Sequence, residues 1–262
     1  IRRLKLNKRT RYVMSTINGN DSDKNNKRNT CDAFVQAGLT GNKTIQFLIG
    51  NLLRMGCTPP EGFIQCLDCD GKPVSGGFGM LREVPLATDM KGSPKSVNNG
   101  EHLLERTKKP DCTKSRRQIV DQFQRDKDGT TKLHLEPEIY LCQENVTGQK
   151  HANTILIHEL IHAIDMCRAK MDPLRNCIQI ACTEIRAENL SGECNMSWEF
   201  LRGKLNSSDS IFGHGKQCVR RRAIDSVKAN PNCTERAELY VDAAMERCFA
   251  DTFPFERHPN QG

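Results

Sequence analysis

Near the middle of the chain, residues 155–165 read ILIHELIHAID. Seven of these eleven residues are apolar, and at 100° per residue they fall on every side of a helix. A helix that is apolar all round is buried, so the rest of the chain must wrap it. Yet the same stretch carries His158, Glu159, His162 and Asp165. Buried polar groups are costly unless something satisfies them. Whatever fold the chain adopts must therefore place partners against those four side chains.

His158 and His162 are four residues apart, and side chains at that spacing project from one helix face. Both imidazoles can reach one ion there. Zinc accepts imidazole nitrogen, and it keeps a position open for water when only three protein ligands bind. Glu159 lies beside the first histidine but off the ligand face. In a His-Glu-x-x-His helix this is the general base that takes a proton from metal-activated water. Asp165 falls roughly 20° around the helix from His158. Its carboxylate is short and nearly a turn beyond His162. Its expected role is to orient an imidazole through a hydrogen bond rather than to bind the metal.

A third ligand is needed. No glycine interrupts the helix after His162, so the sharp turn that brings a third histidine to some zinc sites is absent. The next helical stretch, CIQIACTEIRAEN, offers Glu184 and Glu188. They lie about 40° apart in the middle of its apolar face. Charge there is costly unless paired or metal-bound. Periodicity does not choose between them, and an ion pair at a helix edge would account for either. Arg186 falls on the opposite face and is expected to point outward. His214, in FGHGK, could stabilise an oxyanion, although a surface loop position explains it as well.

The chain has 262 residues and 13 cysteines. The cysteines are scattered, with one CxxC pair, Cys66 and Cys69. A zinc ribbon needs a second pair. Structural disulfides in an oxidising compartment are the better reading. An odd count leaves at least one thiol free or paired elsewhere. Cys167 and Cys177 flank a turn between two helices, a spacing that suits a hairpin disulfide, although other pairings fit as well. Residues 1–28 carry nine Lys and Arg against two Asp, which equals the whole net charge of +7. Such an arm can bind nucleic acid or acidic lipid, or act as a targeting segment. Its composition, with NGNDSDKNNKRN at its end, also fits a disordered tail over residues 1–30.

Residues 31–257 read as one domain of α+β class, mostly helical with a small sheet. Residues 81–135 are polar, weakly periodic and broken by Gly and Pro, and read as an inserted loop with short helices. EIYLCQEN (Glu138–Asn145) reads as a strand. Helices are expected over 153–169, 174–190, 217–229 and 234–250, the last capped by Thr234. No stretch approaches the roughly 18 apolar residues of a membrane helix.

The strings CLDCDGKPVSGGF, EIYLCQEN, HELIHAIDMCRAKMD, ACTEIRAENLSGEC, CVRRRA and CFADTFPF occur in this order. Together they resemble the mitochondrial inner-membrane metalloproteases involved in ATP synthase assembly, some of which go by the name Ku-binding protein. The resemblance covers residues 43–79 and 137–257. It implies a zincin-like fold, one zinc ion held by His158 and His162, and Glu159 as catalytic base. The family's E-[IV]-R-A string falls on Glu184, which makes Glu184 the third ligand. It implies an endopeptidase that matures the precursor of an ATP synthase membrane-sector subunit and assists its assembly. The same resemblance allows an assembly chaperone that acts without proteolysis. It implies a peripheral place on the inner membrane, on the intermembrane-space side, which agrees with the cysteines. A DNA-repair role, suggested by the basic arm and the Ku name, conflicts with that cysteine load, and no nucleic-acid partner is expected. The 81–135 segment departs from the family's pattern. A substrate strand is expected to pair with the edge of the small sheet, at EIYLCQEN.

Overall fold

The computed structural model describes residues 20–60, 62–79, 82–85, 131–134, 137–172, 175–201, 203 and 214–260. Two helices come first, α1 (Asn20–Gly41) and α2 (Lys43–Arg54). Residues 23–30 of α1 are exposed, whereas Cys31 and Val35 enter the core. The end of the expected tail is thus helical from Asn20; residues 1–19 lie outside the described part. Lys27 pairs with Asp23 one turn away at 3.0 Å, and Lys24 reaches Asp68 at 2.6 Å. Polar composition hid a helix whose apolar anchor begins only at Cys31. Asn42 caps α2 by accepting from the N–H groups of Thr44 and Ile45, as short polar side chains do at this position.

Among the described residues the next elements are β1 (Ile64–Leu67), β2 (Gly76–Gly79), β3 (Arg82–Pro85), β4 (Thr131–His134) and β5 (Glu138–Cys142). One sheet has the order β1-β5-β2, with β5 parallel to β1 and antiparallel to β2. β3 and β4 form a separate antiparallel ribbon, with Arg82 opposite His134. This ribbon is the described part of the 81–135 segment, which was expected to hold loop and short helices. Residues 86–130 lie outside the described part.

The motif stretch forms α3 (Gln149–Arg168), and α4 (Cys177–Leu190) packs against it. Ile155, Leu156, Leu160, Ile161 and Ile164 are all buried, as an all-round apolar helix requires. α5 (Met196–Leu201), α6 (His214–Lys228) and α7 (Ala237–Ala250) are the later described helices. A 3-10 turn, Thr234–Arg236, precedes α7. Thr234 does not cap α7; its hydroxyl donates back to the Lys228 and Asn230 carbonyls at 2.8 and 2.9 Å. The class is α+β, mostly helical. Among the described residues no helix is long and apolar enough to cross a membrane.

The apolar residues form two cores. One joins α1, α2, the three-stranded sheet, α3 and the last turn of α4 (Ala187 and Leu190), and the other joins the rest of α4 with α6 and α7. The disulfides divide in the same way. Cys31–Cys66, Cys57–Cys167 and Cys69–Cys142 close the first body. Cys177–Cys233, Cys182–Cys248 and Cys194–Cys218 close the second. A Cys167–Cys177 bridge does not form, because each thiol faces its own core. All twelve described cysteines are paired, and Cys112 lies outside the described residues. The segment after α7 returns over both bodies: Phe255 stacks on Phe47 at 5.3 Å, and Asp251 pairs with Arg168 and Arg186.

Candidate active site

The seam between α3 and α4 holds the motif side chains. His158, Glu159 and His162 are 8%, 6% and 8% exposed. Glu184 faces them from α4. Its Oε2 lies 3.7 Å from Nε2 of His158 and 3.7 Å from Nε2 of His162. The two imidazoles meet edge to face, 4.8 Å between centroids. The candidate ligand atoms of all three residues lie within 4.8 Å of one another. A tetrahedral zinc with bonds of about 2.0–2.1 Å separates its ligand atoms by roughly 3.3 Å. The spacing therefore needs only slight closure, and two imidazoles with one carboxylate are a donor set zinc accepts.

The electrostatics also favour a cation. Burial pulls the His158 pKa down, but Glu184, Glu193 and Glu159 outweigh it and raise it to about 10. Acid surplus that grips a proton this firmly is suited to a divalent ion. Burial pulls His162 below its ordinary value, which keeps it neutral. Burial pushes Glu184 up, but His162 and His158 hold it below the usual carboxylate range. Glu159 is pushed up by burial to about 8, near where a general base works best at neutral pH.

Glu188, which periodicity could not separate from Glu184, has another partner. Arg222 of α6 forms ion pairs with both Glu188 and Glu193. Glu188, Glu193 and His158 also cluster closely enough for a metal, but the guanidinium already supplies the positive charge there. Sequence reading did not single out Glu193, which lies in a turn past α4 where no helical period applies.

Asp165, expected to hydrogen-bond an imidazole, reaches one only through a threonine. His162 Nδ1 lies 2.9 Å from the Thr183 hydroxyl, which donates to Asp165 Oδ2 at 2.9 Å. The aspartate thus supports His162 through one threonine. It also binds Arg168 and Arg186. Arg186, expected to point outward, is fully buried. The returning C-terminal segment covers that face, and Arg186 donates to the Asp251 and Phe253 carbonyls.

A cleft of about 980 Å³ opens over the site. Its walls include Gly76, Gly77 and Tyr140 of the sheet, Met166 of α3, Ile180 of α4 and Trp198 of α5. The strand beside the cleft is β2. EIYLCQEN does not supply an edge, because β5 is central and both its sides are paired. Among the described residues β2 pairs on one side only. A Cβ added at Gly76 would lie 3.8 Å from Glu159 Oε1, so this strand runs directly beside the motif glutamate. His214 opens α6, and its side chain lies outside the described residues.

The model of the Peptidase M76 family matches residues 95–256, more than half of the chain. A zebrafish (Danio rerio) protein named mitochondrial inner membrane protease ATP23 homolog is 31% identical over 235 residues, covering 89% of this chain and 69% of the relative. The Xenopus laevis homolog is 46% identical over 124 residues, covering 47% of this chain and 51% of the relative. The human homolog is 43% identical over 124 residues, covering 47% and 49%. The chain thus spans about half the length of the frog and human relatives. No solved structure matches. With the family match over most of the cleft-forming elements and the zebrafish similarity along nearly the whole chain, the protein belongs to the peptidase M76 family.

Proposed function

We propose that the protein is a zinc-dependent endopeptidase that matures the precursor of an ATP synthase membrane-sector subunit and assists its assembly. The observation that carries this reading is the convergence of His158, His162 and Glu184 under a cleft, with Glu159 beside them. His158, His162 and Glu184 would hold one zinc ion. When bound, zinc supplies Lewis-acid polarisation of a carbonyl and lowers the pKa of water. Glu159 takes the proton of the attacking water and delivers it to the leaving amine. A substrate strand adds to the open side of β2 by main-chain hydrogen bonds. Gly76 lets β2 lie against Ile155 of α3, and Gly77 leaves room for the Tyr140 ring, which keeps the strand close beside Glu159.

The location is read from different observations. The six disulfides among the described residues suit an oxidising space. The relatives are named as proteases of the mitochondrial inner membrane. The reading places the protein at that membrane peripherally, on the intermembrane-space side. The test is Glu159→Gln, which keeps the shape of the side chain and leaves the ligands in place. Precursor cleavage should stop while zinc stays bound and the fold holds. Cleavage that persists would overturn the protease reading. Assembly that survives without cleavage would show a chaperone role beside the enzymatic one.

A further inference from the structure

The two motif histidines are oriented alike. Each turns Nε2 toward Glu184 Oε2 at 3.7 Å and Nδ1 away from it. The away-facing nitrogen of His162 has a partner, the Thr183 hydroxyl at 2.9 Å. The away-facing nitrogen of His158 is buried and has no hydrogen-bond partner. The nearest charge it meets is Glu193 Oε2, at 3.8 Å. Glu193 is itself 7% exposed and is gripped by Arg222, which also holds Glu188. A buried N–H left without an acceptor is costly. A metal-binding imidazole almost always donates its other N–H to a carboxylate, carbonyl or water.

We propose that Glu193 is the positioning residue for His158: its carboxylate, fixed by Arg222, accepts the Nδ1–H and aims Nε2 at the metal. The inference rests on the metal-site reading above. To reach an ordinary N–H···O distance, the 3.8 Å contact must close by roughly 0.6–1 Å. The two ligand histidines then have separate supports, each ending on arginine. One runs from His162 through Thr183 and Asp165 to Arg186, and the other from His158 through Glu193 to Arg222. The first ties the ion to α4 and the C-terminal segment, and the second ties it to α6. Glu193 meets His158 at Nδ1, whereas Glu184 meets it at Nε2, so Glu193 stands on the far side of the ring from Glu184.

The experiment uses the full chain with Zn²⁺ in competition against a chelator, and Co²⁺ as a spectroscopic substitute. Glu193→Ala should bind zinc about 10- to 100-fold more weakly than the parent. Its cobalt spectrum should keep the parent's band shape, because the ligands are unchanged. Glu193→Asp should recover part of the affinity. The melting temperature of the chelator-treated protein should move little, because Arg222 retains Glu188. If Glu193→Ala does not fold, the isosteric Glu193→Gln is read instead, with an expected loss of roughly threefold or more. Unchanged zinc affinity overturns the proposal. So does a cobalt spectrum showing a lost ligand, which would make Glu193 part of the coordination sphere. A parent protein that takes up no zinc removes the metal-site reading, and this inference with it.

Discussion

Arg186 lies in complete burial, and its Nε donates to both carboxylate oxygens of Asp165 at 3.0 Å. The pair joins α4 to α3 one turn beyond His162. It is extended by Arg168, which reaches the same aspartate at 3.0 Å, and by the backbone carbonyls of Asp251 and Phe253. Asp251 also pairs with Arg168, so two guanidinium groups fasten the C-terminal segment to the back of the site.

Removing one member of a buried ion pair leaves the other uncompensated and typically costs about 3–5 kcal/mol. Arg186→Met should therefore destabilise the oxidised protein by about that amount in urea unfolding without reductant. Arg168 stays near Asp165, so the lower end of the range is expected. A change under about 1 kcal/mol would mean that the pair is not worth its burial.

Gly76 offers a sharper probe of the cleft. An added Cβ would meet Ile155 Cγ2 at 2.6 Å and the Tyr140 carbonyl oxygen at 2.8 Å. The second of these is backbone in the central strand and cannot give way. Gly76→Ala should cost about 1–3 kcal/mol in unfolding measurements, as overpacking does. It should push β2 off Ile155, one helical turn before Glu159, and so depress cleavage while zinc binding survives. Full cleavage activity in this variant would show that β2 does not position the substrate.

How much of this was legible beforehand depends on what each residue answers to. The all-round burial of α3 and the shared face of His158 and His162 are properties of one helix, and periodicity shows them. The choice between Glu184 and Glu188 is not local: both lie on the inner face of α4, and Arg222, from α6, pairs with one of them. Arg186 failed for the same reason. Its face is outward on an isolated α4 and inward once residues 251–255 return over it. The strand EIYLCQEN was recognisable, but its central place follows from which strands reach it, and side-chain alternation cannot say that. Glu193 sits in a turn, where neither period applies, and its role appears only beside His158.

His258 gives a pH dependence away from the site. Its Nε2 lies 3.0 Å from Asn189 Oδ1, and its Nδ1 accepts from the Asn260 N–H at 3.1 Å. Both contacts are met by the neutral ring. Burial holds the folded pKa below the ordinary 6.5, with the Asn189 contact opposing in part. Between that lower value and 6.5 the unfolded chain binds more protons than the folded one. Stability is then full above about pH 6.5 and falls as the pH drops through that window. The melting temperature should decline between roughly pH 7.5 and pH 5.5, and decline less in His258→Gln. Equal slopes in the two proteins would show that His258 does not contribute.

The division of the disulfides predicts a covalent result. Three pairs lie among residues 31–167 and three among residues 177–248, and among the described cysteines none crosses. Lys170, in the exposed connection after α3, separates the two sets. A specific protease site inserted after Lys170 and cut in the native protein should leave the halves associated, since α3 and α4 pack together and the C-terminal segment spans both bodies. After denaturation without reductant the halves should run apart on a gel. A cut placed within residues 86–130 should give the opposite result, because Cys57–Cys167 and Cys69–Cys142 span it. Halves that stay joined after the cut at Lys170 would reveal a bridge between the bodies. In the cut protein, only non-covalent contacts then hold His158 and His162 against Glu184. If the proposed zinc bridges them, saturating Zn²⁺ should raise the urea concentration at which the halves separate, and a chelator should lower it.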